Sequence, residues 1–208
     1  MTSSGRSTGA KRTPAKAQLA TRDRERTRGA LIEATEHLLR ERGTGFSLAD
    51  VAARAKVSKG ALMYHFASRE TLIVTVVEAA LGRFRDEVMH HVDLAENRAG
   101  KVLRGYVRAL CGSSKEAVLA FTPSAWIGVD TISEVADLLR ADADWWRTTF
   151  SRDGLSPQRT LLVQFGAEGV AAAIAQGSYI NDDEVALARA GLLELAEPHP
   201  AGNDDQLR

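Results

Sequence analysis

The stretch that decides the interpretation of this chain is Ser47-Leu-Ala-Asp-Val-Ala-Ala-Arg-Ala-Lys-Val-Ser-Lys-Gly-Ala-Leu-Met-Tyr-His-Phe66. It predicts a short helix from about Leu48 to Ala55 and another from Ser58 to about Phe66, with the tight connection Lys56-Val57 between them. Two short helices joined in this way have the geometry of a helix-turn-helix, whose second helix enters the major groove of DNA. The stretch therefore predicts a DNA-binding unit.

Serines mark the helix starts around this stretch. Ser47 is followed three residues later by Asp50, a pattern in which each side chain satisfies a free backbone N–H group at the start of a helix. Ser58 and Ser68 precede the next two helices in the same way. The helix after Ser68 is long, and its apolar residues recur every three or four positions. They are Ile73, Val76, Val77, Ala80, Leu81, Phe84 and Val88.

The two short helices have distinct apolar and polar positions. The apolar positions form a small predicted core: Val51, Ala52, Val57, Leu62 and Phe66. The small Ala52 and Ala53 allow the helices to approach closely. The remaining positions of the second helix are left to face outward: Lys59, Gly60, Met63, Tyr64 and His65.

The net charge of zero conceals a division of charge along the chain. Residues 1–69 contain 14 Lys and Arg against 6 Asp and Glu, a net of +8, and the remaining 139 residues contain 13 against 21, a net of −8. This division suggests that only the first part meets a polyanion. A chance excess of solvated charge is the alternative, since basic patches also serve membranes and solubility.

Along its length the chain divides into four parts. Residues 1–21 are rich in Ser, Thr, Gly, Ala, Lys and Arg and predict a disordered basic arm. Residues 22–70 form the predicted helix-turn-helix domain, residues 71–198 a second helical domain, and residues 199–208 a flexible tail. No alternating strand pattern and no internal repeat is present, so the predicted fold is all-α with about nine helices.

Several functional classes have no support in the sequence. No run of about 18 apolar residues predicts a membrane span, and no apolar signal-peptide core follows the basic N-terminus, which favours the cytoplasm. The single Cys111 lies on an apolar stripe and is expected in the core. Adjacent His90 and His91 point about 100° apart on a helix and are not expected to share a metal ion. No nucleophile–base pair, phosphate-binding loop or paired carboxylates suggest an enzyme or a cofactor.

The segment from about Arg26 to Val77 resembles the DNA-binding domain of the TetR family. The resemblance rests on many spaced positions that agree at once. After a helix that ends in glycine, they are Phe46-Ser47, Val51-Ala52-Ala53-Arg54-Ala55, Val57-Ser58-Lys59-Gly60, Tyr64-His65-Phe66 and Ser68-Arg69-Glu70-Thr71-Leu72. It implies a transcriptional repressor that binds a palindromic operator in double-stranded DNA as a homodimer and is released by a small-molecule inducer.

The resemblance also implies roles for single residues. Ser47 and Lys59 would bind phosphates, Gly60 would let the recognition helix approach the groove, and Tyr64 and His65 would touch the DNA backbone or base edges. Tyr64 and His65 could instead simply cover the small core, and Lys59 could merely be solvated.

Three further positions complete the expected DNA-binding set. Ser58 belongs to it as the residue that begins the recognition helix. Arg69 stands where the family usually has lysine, and it keeps the charge at a helix N-terminus that also favours phosphate. Met63 departs from the family, which often has an aromatic residue there, so Tyr64 is left as the main hydroxyl donor.

The second domain is expected to bind the inducer and to dimerise, by the same resemblance. Ligand pockets are mostly apolar with a few polar groups, and aromatic residues could supply the walls, although each could equally be ordinary core. The expected ligand-binding residues are Phe84, Tyr106, Trp126, Trp146 and Phe165. Helices near 157–176 and 183–195 are expected to form a four-helix bundle with their counterparts in the partner, because small residues permit close approach.

Two other functions stay open at this point. A constitutive architectural dimer would bind DNA without an inducer, and ligand-dependent release would distinguish it from a repressor. An enzyme with a DNA-binding domain would need a catalytic constellation in a cleft, and the sequence offers none.

Overall fold

A computed structural model describes residues 14–112, 114–121, 126–177 and 179–198. Within these ranges the chain forms nine α-helices, a short 3-10 helix at Val129–Thr131 and no strand, which confirms the predicted all-α fold. None of the helices in these ranges combines the length and apolar character needed to cross a membrane. The helices are α1 Pro14–Arg42, α2 Leu48–Arg54, α3 Lys59–His65, α4 Arg69–His90, α5 Lys101–Cys111, α6 Lys115–Phe121, α7 Ser133–Ser151, α8 Pro157–Gln176 and α9 Asp182–Leu195.

Helix α1 begins at Pro14, within the predicted arm, so residues 14–21 are helical and the expectation of disorder there was wrong. The physical reason lies in the local composition. Proline is favoured at the first helical position, and the residues after it are mostly Ala, Lys, Gln and Leu, which have high helix propensity. The rest of the predicted arm, including Arg6, Lys11 and Arg12, and the predicted tail lie outside the described residues.

Helices α1 to α3 enclose the small core that the sequence predicted. Val51, Ala52, Leu62 and Phe66 are buried, and Val57 is partly buried against them. The predicted pairing of Ser47 with Asp50 is confirmed as a complete capping box at the start of α2. The core is closed by the buried face of α1, which contributes Leu31, Ala34, Leu38 and Leu39.

Helix α4 is shared between two hydrophobic cores. Its first half lies in the N-terminal core, which α1 to α3 share with Trp126, Val129 and Val135 of the second domain. The residues it contributes are Leu72, Ile73, Val76, Val77, Ala80 and Leu81. Its second half places Phe84 and Val88 in a separate core with α5, α7 and α8. Because one continuous helix serves both cores, the two domains have a fixed relation along its axis.

The end of α1 also contacts the C-terminal domain directly. The backbone N–H of Thr44 donates to the carbonyl oxygen of Ile127 at 2.9 Å. Gly43 has a φ of +57°, and a Cβ at this position would overlap the Ile127 carbonyl oxygen. Glycine is therefore required here both by the left-handed backbone and by the approach of the second domain.

The end of α9 is held by two buried arginines. Arg104 of α5 donates to the carbonyl oxygens of Ala99 and Ala196 at 2.9 and 2.6 Å. Arg159 of α8 donates to the carbonyl oxygens of Leu195 and Glu197, both at 2.8 Å. These bonds satisfy carbonyls that a helix end leaves without partners, so α9 is firmly attached to the C-terminal core.

Gly82→Ala should stabilise the protein, because Gly82 lies inside α4 and a Cβ there would meet no atom within 4 Å. Replacing a helix-interior glycine by alanine is worth about 0.5–1 kcal/mol. Gly105→Ala is the matched control, because a Cβ there would lie 2.9 Å from both the Val88 carbonyl oxygen and Val92, and it should destabilise. Urea unfolding measures both changes. Equal effects of the two substitutions would contradict the packing described for α4 and α5.

Candidate nucleic-acid interface

Helix α3 presents an exposed face at the surface of the N-terminal domain. Ser58 caps the helix by accepting the backbone N–H of Ala61 at 3.1 Å. Lys59 and Gly60 follow in the first turn and are exposed. Tyr64 is 69% exposed, and Met63 is exposed beside it, although large side chains of these types are commonly at least partly buried. The structure therefore brings these predicted residues together on one accessible surface.

Packing within the chain does not require a glycine at position 60. A Cβ at this position would meet only the Ser58 hydroxyl oxygen, at 3.9 Å, which is ordinary van der Waals contact. Glycine inside a helix is otherwise unfavourable relative to alanine. A need for close approach by an external molecule would account for it.

The turn between α2 and α3 requires an unusual backbone at one residue. Lys56 has a φ of 55°, and it is the one non-glycine residue with positive φ in the described part of the chain. The turn is closed by hydrogen bonds from the backbone N–H of Val57 to Ala52 O at 3.0 Å and from Lys56 N–H to Ala53 O at 3.2 Å. This turn sets the angle at which α3 leaves α2.

Within the chain, Ser47 caps α2 through its bonds with Asp50. Its hydroxyl donates to the Asp50 carboxylate at 2.7 Å, and its backbone N–H donates to the same oxygen at 2.7 Å. These hydrogen bonds, the backbone one first, lower the pKa of Asp50. A phosphate contact by the Ser47 hydroxyl, as the family resemblance implies, would have to replace one of these bonds next to a carboxylate.

Arg69 is likewise used inside the protein. Its Nε donates to the carbonyl oxygen of Phe46 at 3.0 Å, and its Nη2 donates to that of Thr44. The guanidinium also lies over the Phe46 ring, 4.9 Å from its centroid. Arg69 therefore positions the loop between α1 and α2, where the family resemblance suggested a phosphate contact.

His65 is partly buried, in contrast to its exposed neighbour Tyr64, whose ring it meets edge-on at 5.4 Å. Burial lowers the pKa of His65, and the positive charges of Arg24 and Arg28 lower it further. These two arginines come from α1 and lie beside the recognition helix. Sequence reasoning missed them, although their four-residue spacing places them on one helix face.

Three of the five expected ligand-binding residues lie together in the C-terminal core. The ring of Phe84 is 5.3 Å from that of Tyr106 and 5.5 Å from that of Trp146, and the last two are 4.9 Å apart. All three are buried, and Phe150 packs against Tyr106 and Trp146. The rings pack on one another, so a ligand here would have to separate them.

The other two expected residues lie elsewhere. Trp126 is buried in the N-terminal core, to which the second domain contributes it together with Val129 and Val135, and its indole N–H donates to Leu119 O of α6 at 2.9 Å. Phe165 is 60% exposed on α8. The buried face of α8 carries Val163, Ala167 and Ala171, and Phe165 projects away from it. The structure therefore brings three of the five expected residues together and places the other two apart from them.

Polar groups border the aromatic cluster formed by Phe84, Tyr106, Trp146 and Phe150. The Tyr106 hydroxyl donates to the Glu168 carboxylate at 2.9 Å, and burial followed by that negative charge raises the pKa of Tyr106 well above its usual range. The buried indole N–H of Trp146 lies near the Asp142 carboxylate but makes no hydrogen bond of normal geometry among the described residues. Arg85 pairs with Asp142 through its Nε at 2.8 Å.

Other candidates for chemistry lie apart from the aromatic cluster. An open cavity of about 610 Å³ lies where α4 ends and α5 runs past it, and its lining, which includes His90 and His91, is mostly polar. Among the described residues, no group of three or more His, Cys, Asp or Glu could hold a metal ion. Cys111 is buried, as predicted, and burial raises its pKa to about 11, which disfavours the reactive thiolate.

Helices α8 and α9 expose an apolar surface. Leu161, Leu162 and Phe165 of α8 are exposed, and so are Leu187 and Leu195 of α9. No residue of α9 is buried within the chain. The small Gly166 already accommodates a neighbour from the same chain, because a Cβ there would lie 2.6 Å from Leu192 of α9. Asn181 and Glu184 form a capping box at the start of α9.

Comparison with known proteins connects this geometry to a family. Residues 31–76 match the family model described as bacterial regulatory proteins, tetR family. The matched range runs from α1 into α4 and contains the whole helix-turn-helix. Among curated proteins, none matches the sequence significantly.

Solved structures are similar over most of the chain. A transcriptional regulator from Rhodococcus sp. Rha1 matches with a TM-score of 0.65 at 21% identity, over 83% of this chain and 95% of that one. A TetR-like transcriptional regulator from Rhodococcus sp. RHA1 gives 0.63 at 17% identity, over 82% and 93%. A TetR family transcription regulator from Marinobacter aquaeolei VT8 gives 0.56 at 20% identity, over 86% and 100%. At these identities the likeness concerns the fold.

Proposed function

Because the chain carries the N-terminal helix-turn-helix domain of the tetR family of bacterial regulatory proteins, we propose that it is a transcriptional repressor that binds operator DNA as a homodimer and leaves it when a small molecule binds. Repression follows if the bound dimer occupies the operator in place of the transcription machinery. The site of action is then the bacterial cytoplasm, where the chromosome lies.

The observation that carries the DNA-binding part is the exposed face of α3. Lys59, Gly60, Met63 and Tyr64 are accessible together, on a helix that follows a tight turn, in the basic part of the chain. The major groove is wide enough to admit a helix, and phosphate contacts by Lys, Tyr and Ser side chains fix a protein on the duplex. Ser58 and His65 adjoin this face and complete the proposed contact set, while Ser47 and Arg69 support it through hydrogen bonds that cap α2 and hold the loop before it.

The first experiment compares substitutions in that face. Lys59→Ala should weaken binding to DNA and reduce the salt dependence by about one unit of slope, because one phosphate contact is lost. Gly60→Ala should also weaken binding while leaving the fold stable, since its Cβ meets only Ser58 inside the protein. Arg140→Ala is the control, because it changes the net charge as Lys59→Ala does but removes a residue exposed on α7.

These changes are measured by fluorescence anisotropy over a series of salt concentrations. The labelled duplex is one that the protein has selected from random sequences. Equal losses for Lys59→Ala and Arg140→Ala would contradict a specific role for α3. Unchanged binding by both α3 variants would remove the basis of the assignment.

The exposed apolar surface of α8 and α9 supports the dimer. Several large apolar side chains are exposed on these two neighbouring helices, and exposed apolar patches mark protein interfaces. One recognition helix reads only a few base pairs, and a two-fold dimer would place two of them one helical turn apart, roughly 34–36 Å, or a multiple of it. The expected interface joins helices α8 and α9 of one protomer to the same helices of its partner.

Leu162→Glu combined with Phe165→Glu should dissociate the dimer, because four charges would be placed in its apolar interface. Both side chains are at least 60% exposed in the single chain, so the fold should tolerate the change. Leu94→Glu is the control, since Leu94 is 79% exposed in the connection between α4 and α5. Analytical ultracentrifugation distinguishes the dimer from the 22.5 kDa monomer. A wild-type protein that is monomeric at micromolar concentration, with and without DNA, would contradict the proposal.

For the ligand-responsive part we propose a site at Phe84, Tyr106 and Trp146. Trp126 and Phe165 lie elsewhere and are not included in it. An apolar or amphipathic ligand would separate the three rings. Phe84 lies on α4, which begins next to the DNA-binding domain at Arg69 and is 22 residues long, so it spans about 33 Å. A small shift of this helix at the ring cluster would alter the spacing of the two recognition helices.

Allosteric coupling is reciprocal, so operator DNA must weaken ligand binding by the factor by which the ligand weakens DNA binding, typically 5–150-fold. The amphipathic dye anilinonaphthalene sulfonate can serve as the probe, with its affinity measured with and without the selected duplex. Tyr106→Phe should change the dye affinity, because it removes the hydroxyl that binds Glu168. Equal dye affinity with and without the duplex would favour a constitutive architectural dimer.

A further inference from the structure

We propose that the N-terminal half of α1 is a second DNA-contacting element, in which Arg24 and Arg28 bind phosphates of the same duplex that α3 enters. This inference rests on the proposed DNA-binding function and extends it beyond the helix-turn-helix. Both arginines lie upstream of the range that matches the family model.

The two arginines continue the buried face of α1. Arg28 and Arg24 precede the buried Leu31 by three and seven residues, the spacing of one helical stripe. Leu31 and Leu38 of that stripe are fully or almost fully buried in the N-terminal core. Where α1 extends past α3, the same stripe changes from apolar residues to arginines. The change of residue type coincides with the end of the core.

The guanidinium groups lie over rings of the recognition helix and its cap. That of Arg28 is 4.6 Å from the centroid of the Phe66 ring, and that of Arg24 is 5.3 Å from the centroid of the Tyr64 ring. Such contacts orient a guanidinium without neutralising it. Neither arginine forms an ion pair within the described part of the chain, although Arg26 between them pairs with Asp23 at 3.1 Å.

The direction of α1 places these charges on the DNA side of the molecule. The loop that follows the C-terminal end of α1 contacts the C-terminal domain through Thr44 and Ile127. The helix has 29 residues and spans about 43 Å, so its N-terminal end is far from that domain. Arg24 therefore lies beside the most exposed aromatic residue of α3, Tyr64, and the two surfaces are continuous.

Phosphate is the ligand that this chemistry favours. A planar guanidinium offers two parallel N–H donors that match phosphate oxygens. The positive charge of both arginines reaches the α3 surface, where it opposes the protonation of His65. A phosphodiester backbone that passes over Tyr64 would meet both groups. Their contribution should be independent of base sequence, because phosphate contacts carry no direct sequence information.

The test compares three charge-removing substitutions in one helix: Arg24→Gln, Arg28→Gln and Arg26→Gln. Arg26 is the matched control, since it is two residues, or about 200°, from each of the others around the helix. Binding is measured by anisotropy against salt concentration with a duplex of random sequence and with the duplex selected by the wild-type protein. Each of the first two variants should lose about one unit of salt slope and bind both duplexes about five- to tenfold more weakly at 0.1 M salt. Arg26→Gln should change both quantities much less.

Arg28→Lys keeps the charge and should preserve most of the slope, which separates a phosphate contact from a purely structural role over Phe66. If Arg28→Gln lowers the unfolding temperature, Arg24→Gln carries the test alone, because Arg24 lies over an exposed ring. Equal losses for all three glutamine variants would overturn the inference in favour of diffuse charge. Unchanged binding by Arg24→Gln and Arg28→Gln, with Lys59→Ala weakened, would overturn it and leave the proposed function standing. A wild-type protein that binds neither duplex would instead defeat the proposed function.

Discussion

The burial of one helix in two cores is the constraint on which the rest of the structure depends. The first half of α4 packs against the helix-turn-helix, and its second half carries Phe84 into the aromatic cluster. Because protein cores are closely packed, removing this helix from either core would leave a cavity. An unbroken helix also transmits a shift along its axis. Helix α3 and the aromatic rings are therefore positioned relative to the same helix. Gly82 lies on α4 between the residues of the two cores, and a Cβ there would meet no atom within 4 Å.

A second connection runs through the loop between α1 and α2. Arg69, at the start of α4, donates to the carbonyl oxygens of Thr44 and Phe46, and the N–H of Thr44 donates to Ile127. Ser47 follows directly and caps α2. The loop thus connects α4, the C-terminal domain and the helix-turn-helix within four residues. The positive charge of Arg69, which the family resemblance associates with DNA, is used here to position this loop. Arginines of α1 are exposed at the surface instead.

Much of the local structure could be predicted because its causes are local. Capping boxes at Ser47 and Asn181 depend on side chains three residues apart, and the small core depends on helical spacing. The start of α1 does not follow from composition, because basic, small residues are also typical of disordered segments, although the residues after Pro14 favour a helix once it begins. The internal role of Arg69 was missed because its acceptors are carbonyls more than 20 residues away in sequence.

The sequence by itself determined the all-α fold, the helix-turn-helix and the face that each of its short helices presents, because these follow from spacing and capping within single helices. Tertiary structure decided which neighbour covers each face. Trp126 and Phe165 are as apolar as Trp146, yet the first joins the N-terminal core and the second stays exposed. Periodicity specifies the side of a helix on which a residue lies, but only the packing of other helices decides whether that side meets a core, a ligand, DNA or a second protomer.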